Sequence, residues 1–247
     1  MPLPVQQKKD SLPVVCITGA GSVLVSHLAV YFAHHGYIPV ILSRSGNPRS
    51  QTLLKKIQRI RPESIFIGAD VSNEKDAKKA VKKIIRTFHR LDIVINTVGD
   101  FSYSTLNLET TENLRNTFES NVTTVWNMTK ASLPFFRTQR KGLLINFGCA
   151  GAEQVTVREK TTLYYMAKSF VIGMTKAWAA ENARYGIRMN VVSPGPLPTS
   201  VVRPKMPGGK PVQFADIMKA ILFLIDTPSA NGSIVEVTGG WIPGYRG

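Results

Sequence analysis

The feature that most constrains this chain is a repeated exchange of short, nearly continuous apolar runs with longer segments of helical period. Residues 14–18 (VVCIT), 38–42 (IPVIL), 64–68 (SIFIG), 93–96 (IVIN), 143–147 (LLINF), 188–192 (RMNVV) and 233–237 (SIVEV) read as strands. Between them, residues 22–35, 49–60, 73–90, 121–137, 161–185 and 214–226 read as helices, the first stopped by Gly36. Strands that are apolar almost throughout are buried on both faces, and connections long enough to hold a helix make them parallel. The chain is therefore α/β, a doubly wound parallel sheet with helices on both faces, in a single domain over residues 12–247. Residues 1–11, polar with two prolines, read as a flexible lead-in. Sheets of this kind bind ligands beyond the carboxyl ends of their strands.

Composition removes several function classes. With 247 residues, 43% of them hydrophobic, the chain can bury one sizeable core. No apolar run reaches the ~18 residues of a membrane span and no leader pattern opens the chain, so a cytoplasmic protein is expected. Its two cysteines, Cys16 and Cys149, make no disulfide framework, and no metal-ligand spacing appears, so no metal is expected. The net charge of +15 reads chiefly as a solvated basic surface. Its sharper reading is an acidic partner: a phosphorylated cofactor, a carrier protein, coenzyme A or nucleic acid. No recognition helix, zinc finger or aromatic-basic RNA motif is present, so specific nucleic-acid binding is not expected.

Two stretches carry chemistry. Immediately after the first strand stands Thr18-Gly19-Ala20-Gly21-Ser22, a glycine turn entering a helix, where free N–H groups and the positive helix end suit a pyrophosphate. Further on, Tyr164 and Lys168 are four residues apart in a helical run and share one face. An ammonium beside a phenol favours the phenolate, which makes Tyr164 a candidate proton donor and acceptor with a lowered pKa. In isolation that pair is more often a packed ring beside a solvated amine.

Taken together, these segments resemble the short-chain dehydrogenase/reductase family, and within it enzymes of the 3-oxoacyl-carrier-protein reductase type, over about residues 14–240. The resemblance implies a Rossmann fold of about seven strands in the order 3-2-1-4-5-6-7. It implies an NADP-preferring oxidoreductase that interconverts a carbonyl and an alcohol, on a small or carrier-bound substrate, assembled as a homodimer or homotetramer. By this resemblance Tyr164 is the general acid/base, Lys168 tunes it and holds a ribose, and Asn121 supports a proton relay. Cys149 stands where the catalytic serine is expected. Thr18, Gly19 and Gly21 fall in the pyrophosphate loop. Ser43-Arg44 takes the place of an NAD-selecting acid and suits a 2′-phosphate, hence NADP(H). Asp70-Val71 matches the adenine-side pair, Asn96 and Gly99 a segment after the fourth strand, and Pro194-Gly195 the nicotinamide side. The resemblance also implies that the helices at 121–137 and 161–185 pair between subunits, with Ala177, Trp178, Ala179 and Ala180 available for packing.

Three departures from the family pattern bear on activity. Val23 and Val25 replace two glycines of T-G-x-x-x-G-x-G, which puts cofactor affinity in doubt, because glycine there lets the pyrophosphate approach and the helix pack closely. Cys149 supplies a thiol, a weaker hydrogen-bond donor than a hydroxyl. Residues 196–211 hold five prolines and are too broken for a helical lid, with Arg203, Lys205 and Lys210 making a basic rim. The alternative to an enzyme is a binding or scaffold protein that keeps the fold and has impaired or lost cofactor binding.

Overall fold

A computed structural model describes residues 12–44, 48–154, 159–202 and 204–241. The lead-in at residues 1–11, Arg203 of the expected basic rim and residues 242–247 lie outside the described residues. In chain order the elements are β1 (Val14–Thr18), α1 (Val23–His34), β2 (Ile38–Ser43), α2 (Pro48–Gln58), β3 (Ile65–Gly68), α3 (Glu74–Phe88), β4 (Ile93–Asn96) and α4 (Thr111–Phe118). They continue with α5 (Thr124–Gln139), β5 (Gly142–Phe147), α6 (Thr162–Asn182), β6 (Ile187–Pro194), α7 (Phe214–Asp226) and β7 (Ile234–Val237). The strands form one sheet of seven, all pairs parallel, in the order β3-β2-β1-β4-β5-β6-β7. This is the Rossmann-type arrangement expected from the sequence.

Every residue of β1 is buried, and the period of two sends alternate side chains to two apolar layers. Val15 and Ile17 join a cluster with Leu28 of α1, Leu53 of α2 and Leu224 of α7. Val14 and Cys16 join another with Ile84 of α3, Met128 and Phe136 of α5 and Ala179 of α6. Each such side chain contributes about 1.5–3 kcal/mol on leaving water, so both layers are needed to hold the sheet. Burial also pushes the Cys16 thiol up to about 12, which leaves it a small apolar packing group.

Helix α1 starts where Ser22, in extended backbone, accepts a hydrogen bond from the Val25 N–H at 3.2 Å, and it is followed by Gly36 at φ +80°. The expected helix at 121–137 needs correction. Its helical path begins earlier, with α4 capped by the Thr110 hydroxyl on the Asn113 N–H (3.0 Å), and Asn121 sits in a π-helical turn, Glu119–Thr123, between α4 and α5. The sequence hid α4 because TENLRNTF offers only Leu114 and Phe118 as large apolar residues, and Leu114 is exposed. Among the described residues of 196–211 there is no helix, and Lys205 and Lys210 are exposed there. No helix among the described residues is long and apolar enough to cross a membrane.

Candidate active site

The strand order reverses between β1 and β4, and a cleft of about 860 Å³ opens there beyond the strand ends. Gly19, Gly21, Ser43, Arg44, Asp70 and Gly99 line it, together with Val71. Gly19 is at φ +83°, and a Cβ on it would stand 2.7 Å from Thr97 Oγ1, so conformation and space both call for glycine. Thr97 in turn ties β4 to β1: its N–H donates to Thr18 Oγ1 at 3.1 Å and its hydroxyl to Thr18 O at 2.7 Å. Asp70 is held by an N–H and a hydroxyl from Ser72, at 3.0 and 2.9 Å.

Four of the expected cofactor residues do not line this cleft: Pro194 and Gly195 stand apart from it, and Thr18 and Asn96 are turned inward. Thr18 is buried and acts through Thr97. Asn96 is buried between strands, its amide donating to Asn146 Oδ1 at 2.8 Å while Asn146 donates to Thr175 Oγ1 at 2.9 Å. Position after a strand end suggested the cleft, but the pleat turns Asn96 sideways toward β5. Neither valine of the glycine loop lines the cleft. Val25 is fully buried in the core layer beside Gly19, and Val23, at the start of α1, is 45% exposed.

A second cleft, of about 400 Å³, adjoins Tyr164, Cys149, Pro194 and Gly195. Phe101, which the sequence did not single out, meets the Tyr164 ring edge-on with centroids 4.9 Å apart. Trp241 lines the same cleft. Neither carries a spacing signal, since both lie in loops that only the fold brings beside α6.

Helix α6 places Tyr164 and Lys168 on one face, as their spacing implies. Lys168 is 4% exposed, with Nζ 5.7 Å from the Tyr164 ring centre, and it donates to Phe147 O at 2.9 Å. Burial pulls its ammonium down to about 8, with Cys149 acting in the opposite sense. Tyr164 behaves otherwise than expected: its phenol lies well above the ordinary value, not below it. Burial is the largest cause, followed by the charge Cys149 carries when ionised, by Tyr165 and by a hydrogen bond to the Cys149 sulfur. The lysine does not reverse this because its own charge is disfavoured by the same burial and its Nζ–H is engaged by a carbonyl.

Asn121 is fully buried, and its Nδ2 donates to Asp100 O (2.9 Å), Thr117 O (3.0 Å) and Ser120 Oγ (3.2 Å). Its Oδ1 has no partner. A methyl placed on Gly99 would collide with that oxygen and lie 3.1 Å from Lys168 Nζ, so Gly99 keeps open the gap between cleft, amide and ammonium. A buried acceptor left over beside an ammonium is a place for a bound hydroxyl or water.

The larger cleft fits a dinucleotide. It combines a glycine-only turn at a helix N-terminus, an arginine at the end of β2 and an acid after β3, with the orphaned Asn121 oxygen behind Gly99 of its lining. Residues 13–208 match the short chain dehydrogenase family. The chain belongs to that family. Among its relatives, an uncharacterized oxidoreductase of Thermotoga maritima is 30% identical over 92% of this chain and 96% of its own length. An L-fucose dehydrogenase of Bos taurus is 29% identical over 94% of this chain and 90% of its own. The crystal structure of a 3-ketoacyl-(acyl-carrier-protein) reductase from Brucella melitensis, complexed with NADH, superposes with a TM-score of 0.84 at 26% identity, covering 92% of this chain and 97% of that one. As a short-chain dehydrogenase the chain falls among NAD(P)-dependent oxidoreductases, and these relatives lend no support to the scaffold alternative.

Proposed function

We infer that this short-chain dehydrogenase is a cytoplasmic, NADPH-preferring reductase that converts a carbonyl to an alcohol. The observation that carries the reading is Tyr164, a phenol kept protonated by its surroundings in the lining of the second cleft. A neutral phenol is the form needed to give a proton to a carbonyl oxygen, so the site is set for reduction. When bound, the reduced nicotinamide supplies the hydride. Gly19 and Gly21 admit the pyrophosphate to the N-terminus of α1, Asp70 and Val71 flank the adenine, and Pro194 and Gly195 border the nicotinamide. Lys168 holds a ribose hydroxyl beside Tyr164, and Asn121 Oδ1 accepts from the group that returns protons to it. Cys149 gives the substrate oxygen a weak contact in place of a strong one.

The preference for NADPH rests on Arg44, which lines the cleft from an exposed position with no acid taking the ribose site beside it. Replacing Arg44 with alanine should weaken NADPH about tenfold or more and leave NADH nearly unchanged, since a guanidinium–phosphate contact contributes on the order of 1.5–3 kcal/mol. Fluorescence titration with the two cofactors checks this; equal losses for both would remove Arg44 from the role. Exposed Lys205, next to Pro204 of the second cleft's lining, and exposed Lys210 leave room for an acidic carrier on the substrate. Trp126 of α5 (45% exposed) and Phe170 of α6 (52%) make these helices the faces for a homodimer or homotetramer.

A further inference from the structure

The walls and floor of the second cleft differ in kind. Phe101, Tyr165, Trp241, Leu197, Val201 and Val202 give it apolar and aromatic walls, and Glu159 is its one charged lining residue among those described. Its volume of about 400 Å³ is at the small end of the range for organic ligands, enough for a compound of one or two rings. Phe101 stands edge-on to Tyr164 and has Tyr103 stacked on its other side at 6.3 Å, so a flat ring entering beside Tyr164 meets aromatic faces. Among the described residues the polar groups on the walls are Glu159, Thr161, Thr199 and Ser200, a minority beside the apolar lining and too few to replace the hydration shell of a polyol on every side.

The floor offers the substrate oxygen one strong donor instead of two. Tyr164 has its hydroxyl, but the neighbouring position carries the Cys149 thiol, which receives a hydrogen bond from Tyr164 and places its own weak S–H contact 3.8 Å away on Ala150 O. An ordinary ketone loses about 10²–10³-fold in rate when one of two donors to its oxygen is removed. A carbonyl already activated by an electron-withdrawing neighbour needs only one.

We propose that the substrate is a flat, apolar, self-activated carbonyl compound, of the aryl 1,2-diketone class, with Phe101 and Cys149 as its specificity-determining residues. This rests on the reductase reading. In the step, a hydride passes from reduced nicotinamide to the carbonyl carbon, the C=O π pair moves to oxygen, and oxygen takes the Tyr164 proton. One diketone and one NADPH with a solvent proton give one hydroxyketone and NADP⁺.

The test compares 1-phenylpropane-1,2-dione, acetophenone and glucose as substrates for the whole protein, alongside a separate NADPH-binding titration. The dione should be turned over most efficiently, acetophenone poorly and glucose not detectably in oxidation with NADP⁺. In Cys149→Ser the advantage of dione over acetophenone should shrink about tenfold, because the restored hydroxyl helps the unactivated ketone most. In Phe101→Ala, KM for the dione should rise about two- to tenfold with a smaller change in kcat and an unchanged melting midpoint. The proposal is overturned by glucose turnover matching the dione, by an unchanged ratio in Cys149→Ser, or by absence of dione turnover. If NADPH binds while the dione is refused, only the substrate class has failed; if NADPH does not bind, the reductase reading fails with it.

Discussion

Tyr164→Phe is expected to lower kcat for carbonyl reduction by about 10²–10⁴-fold, the span usually lost with a general acid, while NADPH affinity stays within about twofold. The substitution keeps the ring and its edge-on contact with Phe101, and removes only the hydroxyl that donates to Cys149. Loss of turnover with binding retained would therefore isolate the proton transfer. Because the phenol lies well above its ordinary value, wild-type reduction should also show no rise with pH through neutrality, and stay level until Lys168 loses its proton at about 8. A rate that climbs with pH through neutrality would mean that the phenolate, not the phenol, is the working form. Turnover unaffected by the substitution would take Tyr164 out of the mechanism.

Lys168→Met should reduce kcat about a hundredfold or more, yet leave the protein as stable as before at neutral pH. Burial holds the wild-type ammonium at about 8, against 10.5 for an exposed lysine. Between those values the unfolded chain binds the extra proton, so the lysine's contribution to stability rises over that interval. Below pH 8 its full penalty applies, on the order of 3 kcal/mol. Methionine removes the penalty but strands Phe147 O, which loses its 2.9 Å donor at a cost of about 1–3 kcal/mol. The two effects nearly cancel at pH 7. Denaturant unfolding should show wild type gaining on the variant as pH is raised from 8 to 10. A variant that collapses at pH 7, or a stability gap indifferent to pH, would contradict the burial of a charged amine.

The sheet was legible because runs such as VVCIT and LLINF admit few environments: apolar on both faces, they need a layer of helices on each side. Helix α4 was not, since its polar sequence is set by a surface and by the π-helical turn that follows. In the site, spacing alone put Tyr164 and Lys168 on one face of α6, and the resemblance led to Cys149, Asn121 and the loop at Gly19. What spacing could not carry was the sign of the Tyr164 shift. That depends on burial and on a sulfur from the end of β5, a neighbour fifteen residues away that only the fold supplies. Asn96 is turned away from the cleft for a related reason. Its place after a strand suggested the cleft, whereas the pleat commits its amide to Asn146. The valines of the glycine loop looked obstructive by their bulk, but helix geometry sends Val25 into the core and leaves Val23 off the cleft lining.

Every role assigned above requires a reduced dinucleotide lying in the 860 Å³ cleft, from Arg44 past Gly99 and on toward Tyr164 in the neighbouring cleft. Its most direct test is the thermal midpoint of the wild-type protein across a range of NADPH concentrations. Micromolar binding predicts a midpoint that climbs with the logarithm of concentration, each thousandfold excess over Kd adding about 4 kcal/mol. A midpoint that stays flat up to millimolar NADPH would contradict it.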